Sequence, residues 1–453
     1  MKLPEYVKLI IDRLEQNGYQ AYLVGGAVRD ELMNRVPRDY DLCTDALPAD
    51  VKRVFSDCKQ VAVGEKYGTV CVLIGKKEAE ITTFRRDGDY TDARRPDSVA
   101  FTPHLGEDLA RRDFTVNAIA RTPRTGYIDP CGGISDIKRR KIRAVGDPAT
   151  RFREDALRIL RGVRLCAQLG FEFDKETEAA AMRLRGSVAK LSPERVRDEL
   201  FRFVMCPNAG DVLLRHKEIF FETIPELRAC DGFEQHNPNH CFDVLGHTAE
   251  TLNRASRNLT VRLAALLHDV GKPLCFSQDE TGRGRFWGHM EIGEGMAREI
   301  LTRLRCPKKL TEAVALLVLN HDKPYASTPA SARYWLGKMG RKNIYLLTDL
   351  KKADCLAHAR CYHNRLFRVY GFKREIQAAI ARGDCYNLYM LAVKGSDVNA
   401  ALGLKAGPET GAVLDFLLGR VIDGSAENQK EALLALAKEY HQTTAQRKDD
   451  GPL

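Results

Sequence analysis

The stretch YLVGGAVRDELMNRVPRDYDLCTDALP (Tyr22–Pro48) predicts a strand, a Gly-Gly turn, a short helix and a second strand in close succession. Gly25 and Gly26 lack Cβ atoms, so the backbone of the turn can approach a bound phosphate closely. On the second strand, Asp39 and Asp41 stand one residue apart and therefore point to the same face, where their charges repel. The pattern predicts a positively charged species between the two carboxylates.

A phosphate-binding turn beside two carboxylates on one face is the arrangement that two-metal phosphoryl transfer requires. One Mg²⁺ activates the attacking hydroxyl and the other holds the triphosphate, and carboxylate oxygens suit both ions. A third carboxylate on a neighbouring strand would complete the set. We predict Glu80 in EAEITTFR for this position, although Glu78 lies two residues away on the same face. Taken alone, a D-x-D pattern is more often a solvated strand end.

Length and composition place the chain among ordinary globular proteins. Its 453 residues suffice for about two to four domains, and its 44% hydrophobic and 29% charged residues are typical values. The net charge of +10 favours a polyanionic partner such as nucleic acid. Thirteen cysteines without a C-x-x-C pair indicate reduced thiols. The charged, amphipathic N-terminus predicts neither a signal peptide nor a membrane segment, so we expect a cytoplasmic protein.

The sequence pattern changes near residue 140. Before it, segments rich in Val, Ile and Thr alternate with short helices, and after it helical patterns dominate. We therefore predict an α+β protein with a mixed-sheet head (1–140) followed by an all-α neck (141–205), body (206–365) and tail (366–453). Residues 85–97, RRDGDYTDARRPD, carry four arginines without apolar periodicity. They predict a mobile loop that either binds an anion or is a solvated connection.

Further motifs follow the opening stretch in order: GEDLARRDFTVNAIA (106–120), YIDPCGGISDIKRRKIRAV (127–145), RFREDALRILRGVRLCAQLGF (151–171) and SPERVRDEL (192–200). With the Gly-Gly turn and the D-x-D pair, they resemble the class II tRNA nucleotidyltransferases, which are the CCA-adding enzymes, and the related bacterial poly(A) polymerases. Because ordered motifs extend over residues 22–200, the resemblance is highly specific.

The resemblance implies a head with the DNA polymerase beta-like nucleotidyltransferase fold, in which Asp39 and Asp41 bind the catalytic Mg²⁺. It also implies CTP, ATP and the acceptor arm of tRNA as partners. The residues that it assigns to nucleotide binding in the head are Gly25, Gly26, Arg29, Arg111, Arg112, Asp113 and Asn117. The D-P-x-G-G motif at 129–133 matches an element proposed to act as a hinge between head and neck.

Glu154, Asp155 and Arg158 have i, i+3 and i, i+4 spacings on one predicted helix, and a surface ion pair would explain them. A base-reading edge explains them as well. The Asp155 carboxylate accepts from the exocyclic amine of cytosine or adenine, and Arg158 donates to the adjacent ring atom, whereas uracil and guanine present a carbonyl there. Arg161 and Arg164 continue the basic face and are predicted to contact phosphates or to position Asp155.

A second group of motifs lies in the body: HNPNHCFDVLGHTAETL, RLAALLHDVGKP, RFWGHMEIGEGMA, LLVLNHDKP and LKKADCLAHAR. An adjacent His-Asp pair that ends an apolar helix, with separate histidines before and after it, resembles the HD phosphohydrolase superfamily. The ligand positions that this resemblance implies are His247, His268, Asp269 and Asp354, with His289 and His321 as the extra histidines of two-metal members. Such ligands hold one or two divalent metals that activate water against a phosphoester. Either a catalytic site or a structural remnant would fit the pattern.

We predict template-independent addition of C, C and A to the 3′ end of tRNA from CTP and ATP, with release of pyrophosphate. A candidate phosphohydrolase activity lies in the HD region. The alternatives are a poly(A) polymerase, an enzyme that adds only CC or only A, and an HD phosphohydrolase whose head binds RNA. The 85–97 segment lies where the family places the element needed for switching to A addition, which favours the full activity. The oligomeric state stays open.

Overall fold

The computed structural model describes residues 3–37, 39–61, 67–88, 98–124 and 126–449. The chain divides into two compact units, Met1–Arg228 and Ala229–Leu453. The first combines a sheet with helices and the second is almost entirely helical, which confirms the predicted α+β class. Within the described residues, no helix has both the length and the apolar character needed to cross a membrane.

The first unit alternates short strands and helices up to Ile142 and is mainly helical beyond it. Its helices are α1 (Glu5–Gln16), α2 (Gly26–Leu32), α3 (Pro48–Val54), α4 (Leu105–Ala110), α5 (Gly133–Arg139), α6 (Pro148–Glu154), α7 (Leu157–Leu169), α8 (Lys175–Leu184), α9 (Pro193–Val204), α10 (Ala209–Arg215) and α11 (Lys217–Phe221). Its strands are β1 (Ala21–Val24), β2 (Asp41–Thr44), β3 (Lys59–Val61), β4 (Thr69–Ile74), β5 (Lys77–Thr83), β6 (Arg85–Asp87), β7 (Val99–Phe101), β8 (Ala120–Thr122), β9 (Gly126–Ile128), β10 (Lys141–Ile142) and β11 (Glu172–Phe173).

Among the described residues, seven strands form one mixed sheet in the order β3-β4-β5-β2-β1-β8-β9. Strand β1 lies antiparallel to β2 and to β8, whereas β2 and β5 are parallel. The parallel pairing places Asp41 directly beside Glu80. Leu23 and Val24 on β1 are buried. The sheet therefore presents its carboxylates at the end where β1 turns into α2.

The strand, turn, helix and strand predicted for the opening stretch are confirmed as β1, the Gly25 turn, α2 and β2. Gly25 has a φ of 72°, a left-handed conformation that favours glycine. One detail of the prediction is wrong: Asp39 lies before the strand, which begins at Asp41. The two carboxylates are therefore not held by one regular strand.

The prediction of an irregular segment over 85–97 is wrong at its beginning. Arg85–Asp87 forms β6, which pairs antiparallel with β7 at Val99–Phe101. A polar two-stranded ribbon shows no apolar alternation, because the stability of the pairing comes from backbone hydrogen bonds, and the sequence pattern therefore missed it. Residues 89–97, with the other two arginines, lie outside the described residues.

The predicted single helix through Glu154, Asp155 and Arg158 is also wrong. Helix α6 ends at Glu154, Asp155 adopts an extended conformation with φ −150° and ψ 105°, and α7 begins at Leu157. The Asp155 carboxylate accepts a hydrogen bond from the Leu157 amide at 3.0 Å. It therefore satisfies a backbone donor at the start of α7, as short acidic residues commonly do at helix N-termini.

The second unit is a helical array with one small β-ribbon. Its elements are α12 (Val244–Arg254), α13 (Leu259–Leu267), β12 (Phe276–Gln278), β13 (Gly284–Phe286), α14 (His289–Arg303), α15 (Lys308–Asn320), α16 (Pro329–Ala357), α17 (Leu366–Arg382), α18 (Gly395–Leu402), α19 (Pro408–Asp423) and α20 (Lys430–Asp449). Helix α16 is interrupted at Gly340 and packs against α12, α13, α15, α17 and α19. A separate apolar cluster joins α18, α19 and α20 through Val398, Leu417 and Leu433.

The D-P-x-G-G motif joins α5 to the turn at Thr115–Asn117. The Asp129 carboxylate accepts from the Gly133 and Ile134 amides at 2.7 and 2.8 Å and so caps α5. A Cβ atom on Gly133 would lie 2.7 Å from the carbonyl carbon of Thr115 and 2.9 Å from Ile119. The Thr115 hydroxyl in turn donates to Asp136 at 2.7 Å. Glycine is required at position 133 because the Thr115 backbone lies close to it, and not because the backbone there adopts a turn conformation.

We expect Gly133→Ala to lower the free energy of unfolding of the first unit by at least about 2 kcal/mol, because a backbone carbonyl cannot move aside cheaply. Urea unfolding followed by circular dichroism measures the change. Gly106→Ala is the matched control: nothing lies within 4 Å of its Cβ position in α4. Alanine at position 106 should be neutral or stabilise by up to about 1 kcal/mol. Equal stability of the two variants would contradict the packing argument.

Candidate active site and metal centre

The Gly-Gly turn, the D-x-D pair and the Arg-Arg-Asp motif meet at one end of the sheet. A Cβ on Gly25 would lie 3.5 Å from Arg112 Nη1 and 3.6 Å from Asp41 Oδ2. Reduced hydration raises the pKa of Asp41 above its ordinary value, Arg112 opposes this rise, and repulsion by Asp39 adds to it. The absence of a side chain at Gly25 therefore leaves space beside the Arg112 guanidinium and the Asp41 carboxylate.

Three carboxylates crowd this end of the sheet, as predicted for Asp39, Asp41 and Glu80. The pKa of Glu80 is raised by loss of hydration and then by the charges of Asp41, Glu78 and Asp39. The strand register distinguishes the two glutamates, because Glu80 pairs with Asp41 on β2 whereas Glu78 pairs with Leu73 on β4. Mutual repulsion of this kind is relieved by a bound cation.

A buried carboxylate that the sequence analysis missed organises the two arginines. Asp108 on α4 is fully buried and accepts from Arg111 Nε and Nη2 at 2.9 and 2.7 Å and from Arg112 Nη2 at 3.1 Å. Burial alone would raise the pKa of Asp108, but the two arginines outweigh it and hold the pKa below its ordinary value. The i, i+3 and i, i+4 spacing to Arg111 and Arg112 was the available signal.

Arg29, Asn117, Asp113 and Arg161 form a chain of hydrogen bonds from α2 to α7. Arg29 Nη1 donates to Asn117 Oδ1 at 2.7 Å, and Asn117 Nδ2 donates to Asp113 at 3.2 Å. Arg161 donates to Asp113 Oδ2 through Nε and Nη2 at 2.9 and 2.6 Å. Burial would raise the pKa of Asp113, but Arg161 lowers it to about 2. Arg29 is 5% exposed and also pairs with Asp30, so these contacts occupy its guanidinium.

In the structure, Glu154 pairs with Arg158, whereas Asp155 pairs with a different arginine. Glu154 accepts from Arg158 Nη1 at 2.5 Å and from Arg151 Nη1 at 3.0 Å. Asp155 instead pairs through Oδ2 with Arg195 Nη2 of α9 at 2.7 Å. The two side chains predicted to read a base are therefore neighbours, but each is held by a different third residue. Arg195 belongs to the SPERVRDEL motif, but nothing in its spacing indicated Asp155.

Arg164 lies within the helical part of the first unit. It donates to Glu199 Oε2 at 2.6 Å and to Gln168 Oε1 at 2.7 Å. Glu199 is buried on α9. Arg164 thus ties α7 to α9 through Glu199.

In the second unit, all six predicted HD residues converge in one buried cluster. They come from five helices or helix ends: His247 on α12, His268 and Asp269 after α13, His289 at the start of α14, His321 after α15 and Asp354 on α16. The residues of α13 are mostly apolar and buried, so its end places the His-Asp pair in the interior. Gly271 permits this arrangement, because a Cβ there would lie 2.6 Å from the His289 carbonyl oxygen.

The orientation of the imidazoles suits metal ligation. The Nδ1 atoms of His268, His289 and His321 lie 2.9, 2.7 and 2.7 Å from main-chain carbonyl oxygens, to which they donate. This fixes the tautomer that leaves each Nε2 lone pair free, a feature typical of metal-bound histidines. Nε2 of His268 and of His321 lie 3.1 and 3.5 Å from the Asp269 carboxylate. His247 Nε2 lies 2.9 Å from Asp354 Oδ1.

Lys272 is a further participant that the sequence analysis missed. Its Nζ lies 2.7 Å from Asp269 Oδ2 and donates to Gln235 Oε1 at 2.8 Å. Burial alone would raise the pKa of Asp269, but His268 and Lys272 hold it well below its ordinary value. Two carboxylates face one ammonium and four imidazoles. The donor set therefore fits a divalent cation, and sets of potential ligands such as His268, Asp269 and His321 have their ligand atoms within 4.8 Å of one another.

His240 and His358 adjoin this centre, although the sequence analysis assigned them no role. With His247 they form a third group whose ligand atoms lie within 4.8 Å of one another. His358 lies four residues after Asp354, one helical turn along, which was an available signal. His240 lies in an irregular segment, and no spacing pattern indicated it.

Models of known protein families match the regions of the chain that contain the two sites. A family model described as the poly A polymerase head domain matches residues 21–143. A model described as a probable RNA and SrmB-binding site of polymerase A matches residues 170–230, and the HD domain model matches residues 239–359. Fold and site together define a nucleotidyltransferase that carries an HD domain.

Similar proteins specify the family. The chain is 45% identical over 433 residues to the CCA-adding enzyme of Bacillus pumilus, covering 94% of each chain, and 35% identical over 437 residues to that of Geobacillus stearothermophilus, covering 96% of each. The crystal structure of the Bacillus stearothermophilus CCA-adding enzyme in complex with CTP matches with a TM-score of 0.73 and 31% identity, covering 99% of this chain and 100% of the other. The chain belongs to the CCA-adding enzyme family.

Proposed function

We propose that the first unit adds C, C and A to the 3′ end of tRNA from CTP and ATP and releases pyrophosphate. The observation that carries this proposal is the meeting of Gly25, Asp41 and Arg112 at one end of the sheet. The relatives named CCA-adding enzymes support the product, and the related structure bound to CTP supports a nucleotide substrate. The attacking group is the terminal ribose hydroxyl of the tRNA.

Asp39, Asp41 and Glu80 are the proposed ligands for two Mg²⁺ ions. Their oxygen-only donor set suits Mg²⁺. Reduced hydration is the main cause of the raised pKa values of Asp41 and Glu80, and repulsion between the carboxylates, which a cation would relieve, adds to it. Ions bound there would supply the charge that activates the attacking hydroxyl and binds the triphosphate.

The triphosphate would lie against the Gly25–Gly26 backbone and Arg111 and Arg112, which follow α4. Asp108 fixes Arg111 and Arg112 through Nε and Nη2 atoms, so their orientation does not depend on the substrate. Arg161 fixes Asp113, and Asn117 connects this pair to Arg29 behind the turn. We propose that this chain of contacts positions the nucleotide's sugar and phosphates.

Base selection is proposed to reside at Asp155 and Arg158. An Asp155 carboxylate would accept from cytosine N4 or adenine N6, whereas the carbonyls of uracil and guanine would face it without a proton between them. Arg195 donates to one Asp155 oxygen at 2.7 Å and orients the carboxylate. Glu154 holds Arg158 in the same way. Selection of this kind needs no template.

The four-part division is proposed as the functional layout: a catalytic head (1–140), a base-reading neck (141–205), an HD body (206–365) and a tRNA-binding tail (366–453). The compact first unit extends to Arg228, which leaves α10 and α11 with the neck helices. The match to an RNA-binding region at 170–230 and the net charge of +10 support contact with the tRNA acceptor arm. A cytoplasmic site of action belongs to the same proposal.

A gel assay tests the product. The chain is incubated with tRNA ending at its discriminator base and with CTP, ATP or both, in the presence of Mg²⁺. The proposal expects two added nucleotides with CTP alone and three with both. Long products from ATP alone would indicate a poly(A) polymerase instead, and arrest after CC or addition of A only to tRNA-CC would indicate a partial enzyme.

Asp41→Asn should lower incorporation of both CTP and ATP by at least about 100-fold, because one metal-binding charge is lost at a step to which bound metal contributes several kcal/mol. Glu80→Gln should also lower both rates. Glu78→Gln is the matched control, since Glu78 lies on the same strand but pairs with Leu73. Single-turnover rates measure the effect. A fall with Glu78→Gln that equals that of Glu80→Gln would contradict the assigned ligand.

Asp155→Asn should raise the use of UTP and GTP relative to CTP and ATP by about tenfold or more, because one bidentate contact discriminates by about 1–3 kcal/mol. An amide can turn its Nδ2 donor toward the carbonyl of uracil or guanine. Asp198→Asn on α9 is the control, since that side chain is 57% exposed. Competition between the four nucleotides measures selectivity. Unchanged selectivity in a folded Asp155→Asn enzyme would rule out the base-reading role.

We propose a metal-dependent phosphohydrolase activity as a second function, located in the HD domain. The observation that favours it is the set of carbonyl-held imidazoles around Asp269 and Asp354. His247, His268, Asp269 and Asp354 would hold one divalent ion, and His289 and His321 would contribute to a second. Bound metal would activate a water toward a phosphoester.

The test for this second function uses 2′,3′-cyclic nucleotides and p-nitrophenyl phosphate esters, with metal analysis of the purified protein. The His268→Ala/Asp269→Ala variant should lose the metal held by the His-Asp pair and at least about 100-fold in hydrolysis, since metal activation of water contributes several kcal/mol. Nucleotide addition should persist in that variant. Absence of hydrolysis in the metal-loaded parent enzyme would refute the phosphohydrolase proposal while leaving the nucleotidyltransferase unaffected.

A further inference from the structure

His240, His247 and His358 form a compact three-histidine cluster at the edge of the HD centre. Their ring centroids lie 4.3 to 5.0 Å apart, and one nitrogen from each ring lies within 4.8 Å of the others. His247 and His358 are buried, and His240 is half-buried. The HD ligand set predicted from the sequence includes His247 but neither of the other two.

The unpaired nitrogens of this cluster need a partner. Nδ1 of His240 and Nδ1 of His247 are buried and, within the described part of the chain, have no hydrogen-bond partner. A buried polar atom without a partner costs about 1–3 kcal/mol, and phenyl rings would fill the same space without that cost. His358 donates through Nδ1 to the Asp354 carbonyl oxygen at 2.8 Å, which leaves its Nε2 lone pair free. This is the tautomer pattern of the HD imidazoles.

Main-chain contacts hold the cluster together. The Ala359 amide donates to the Asn239 carbonyl oxygen at 2.9 Å, which joins the segment carrying His240 to the end of α16. His358 also stacks on Tyr362 with ring centroids 4.1 Å apart. A cavity of about 210 Å³ is lined by Asp354 and Tyr362, so an ion from solvent can reach the neighbours of His358.

We propose that the three-histidine cluster binds a divalent transition-metal ion, with Zn²⁺ as the representative ion, in addition to the ions of the HD centre. His247 belongs to both ligand sets, so with both sites filled it would lose its ring proton and bridge them as an imidazolate, with one ion at each nitrogen. Imidazole nitrogens select zinc, copper, nickel and iron over Mg²⁺. Nitrogens around tetrahedral zinc lie about 3.3 Å apart, so the rings close slightly on binding. This site goes beyond the phosphohydrolase proposal and does not depend on it.

Zinc analysis of dialysed protein tests the site in a background that removes the HD pair. The His268→Ala/Asp269→Ala variant keeps all three histidines of the cluster and should retain one Zn²⁺ per chain. Adding His240→Ala or His358→Ala should remove that ion. Retention of the ion in both triple variants, or its absence from the parent double variant, overturns the proposal. Circular dichroism verifies that each variant is folded.

A second zinc analysis uses single substitutions in the otherwise unchanged chain. It remains valid if the double variant does not fold. His240→Ala should bind one Zn²⁺ fewer than the parent chain, whereas His236→Asn should bind the same number. His236 is exposed in the same segment and has a φ of 46°, which Asn tolerates. Equal zinc content in His240→Ala and the parent overturns the cluster site alone. Missing hydrolysis with full zinc content overturns the phosphohydrolase alone.

Discussion

The buried carboxylate of Asp108 holds the positive charge of the head site in place. It accepts three hydrogen bonds from Arg111 and Arg112, and Arg112 in turn faces Gly25 and Asp41. Removing one partner of a buried ion pair costs about 3–5 kcal/mol, because the remaining charge loses its compensation. An arginine held in this way is ordered before an anion arrives, so binding costs less side-chain entropy. The glycine turn, the arginines and the D-x-D pair therefore act as one unit.

Restraint of one charged side chain by another also occurs in the helical part of the first unit. Arg195 holds Asp155, Glu154 holds Arg158, and Arg161 holds Asp113. In each pair, one member could contact a nucleotide and the other restrains it. Isolated side chains of this length would each lose about 1–2 kcal/mol of rotamer freedom on binding. The dense ion pairs of the first unit reduce that loss in advance, which is how a protein surface can discriminate between bases without a nucleic-acid template.

Local sequence patterns predicted the helices and strands. Contacts between residues that are distant in sequence determine which side chains meet at the site. The turn at Gly25 and helix α2 follow from glycine and apolar periodicity alone. Glycine and apolar periodicity could not distinguish Glu78 from Glu80, because both side chains point to the same face. Only the parallel register of β2 with β5 distinguishes the two glutamates. Asp155 interrupts a pattern that continues through α6 and α7, and its partner Arg195 lies 40 residues away. The six residues that converge in the HD centre could be predicted because a family pattern encodes their positions. His240 was not, because its position depends on a main-chain contact with α16.

The two candidate metal sites differ in the ions that their donors favour. The head presents several carboxylates, and the pKa values of Asp41 and Glu80 are raised mainly by reduced hydration and further by repulsion between the carboxylates. Oxygen donors suit a hard ion that keeps part of its water shell. The HD centre is buried and rich in imidazole, and the Lys272 ammonium lies 2.7 Å from the Asp269 carboxylate. Nitrogen donors there favour transition ions over Mg²⁺. If both sites bind metal, their donors would therefore favour different ions.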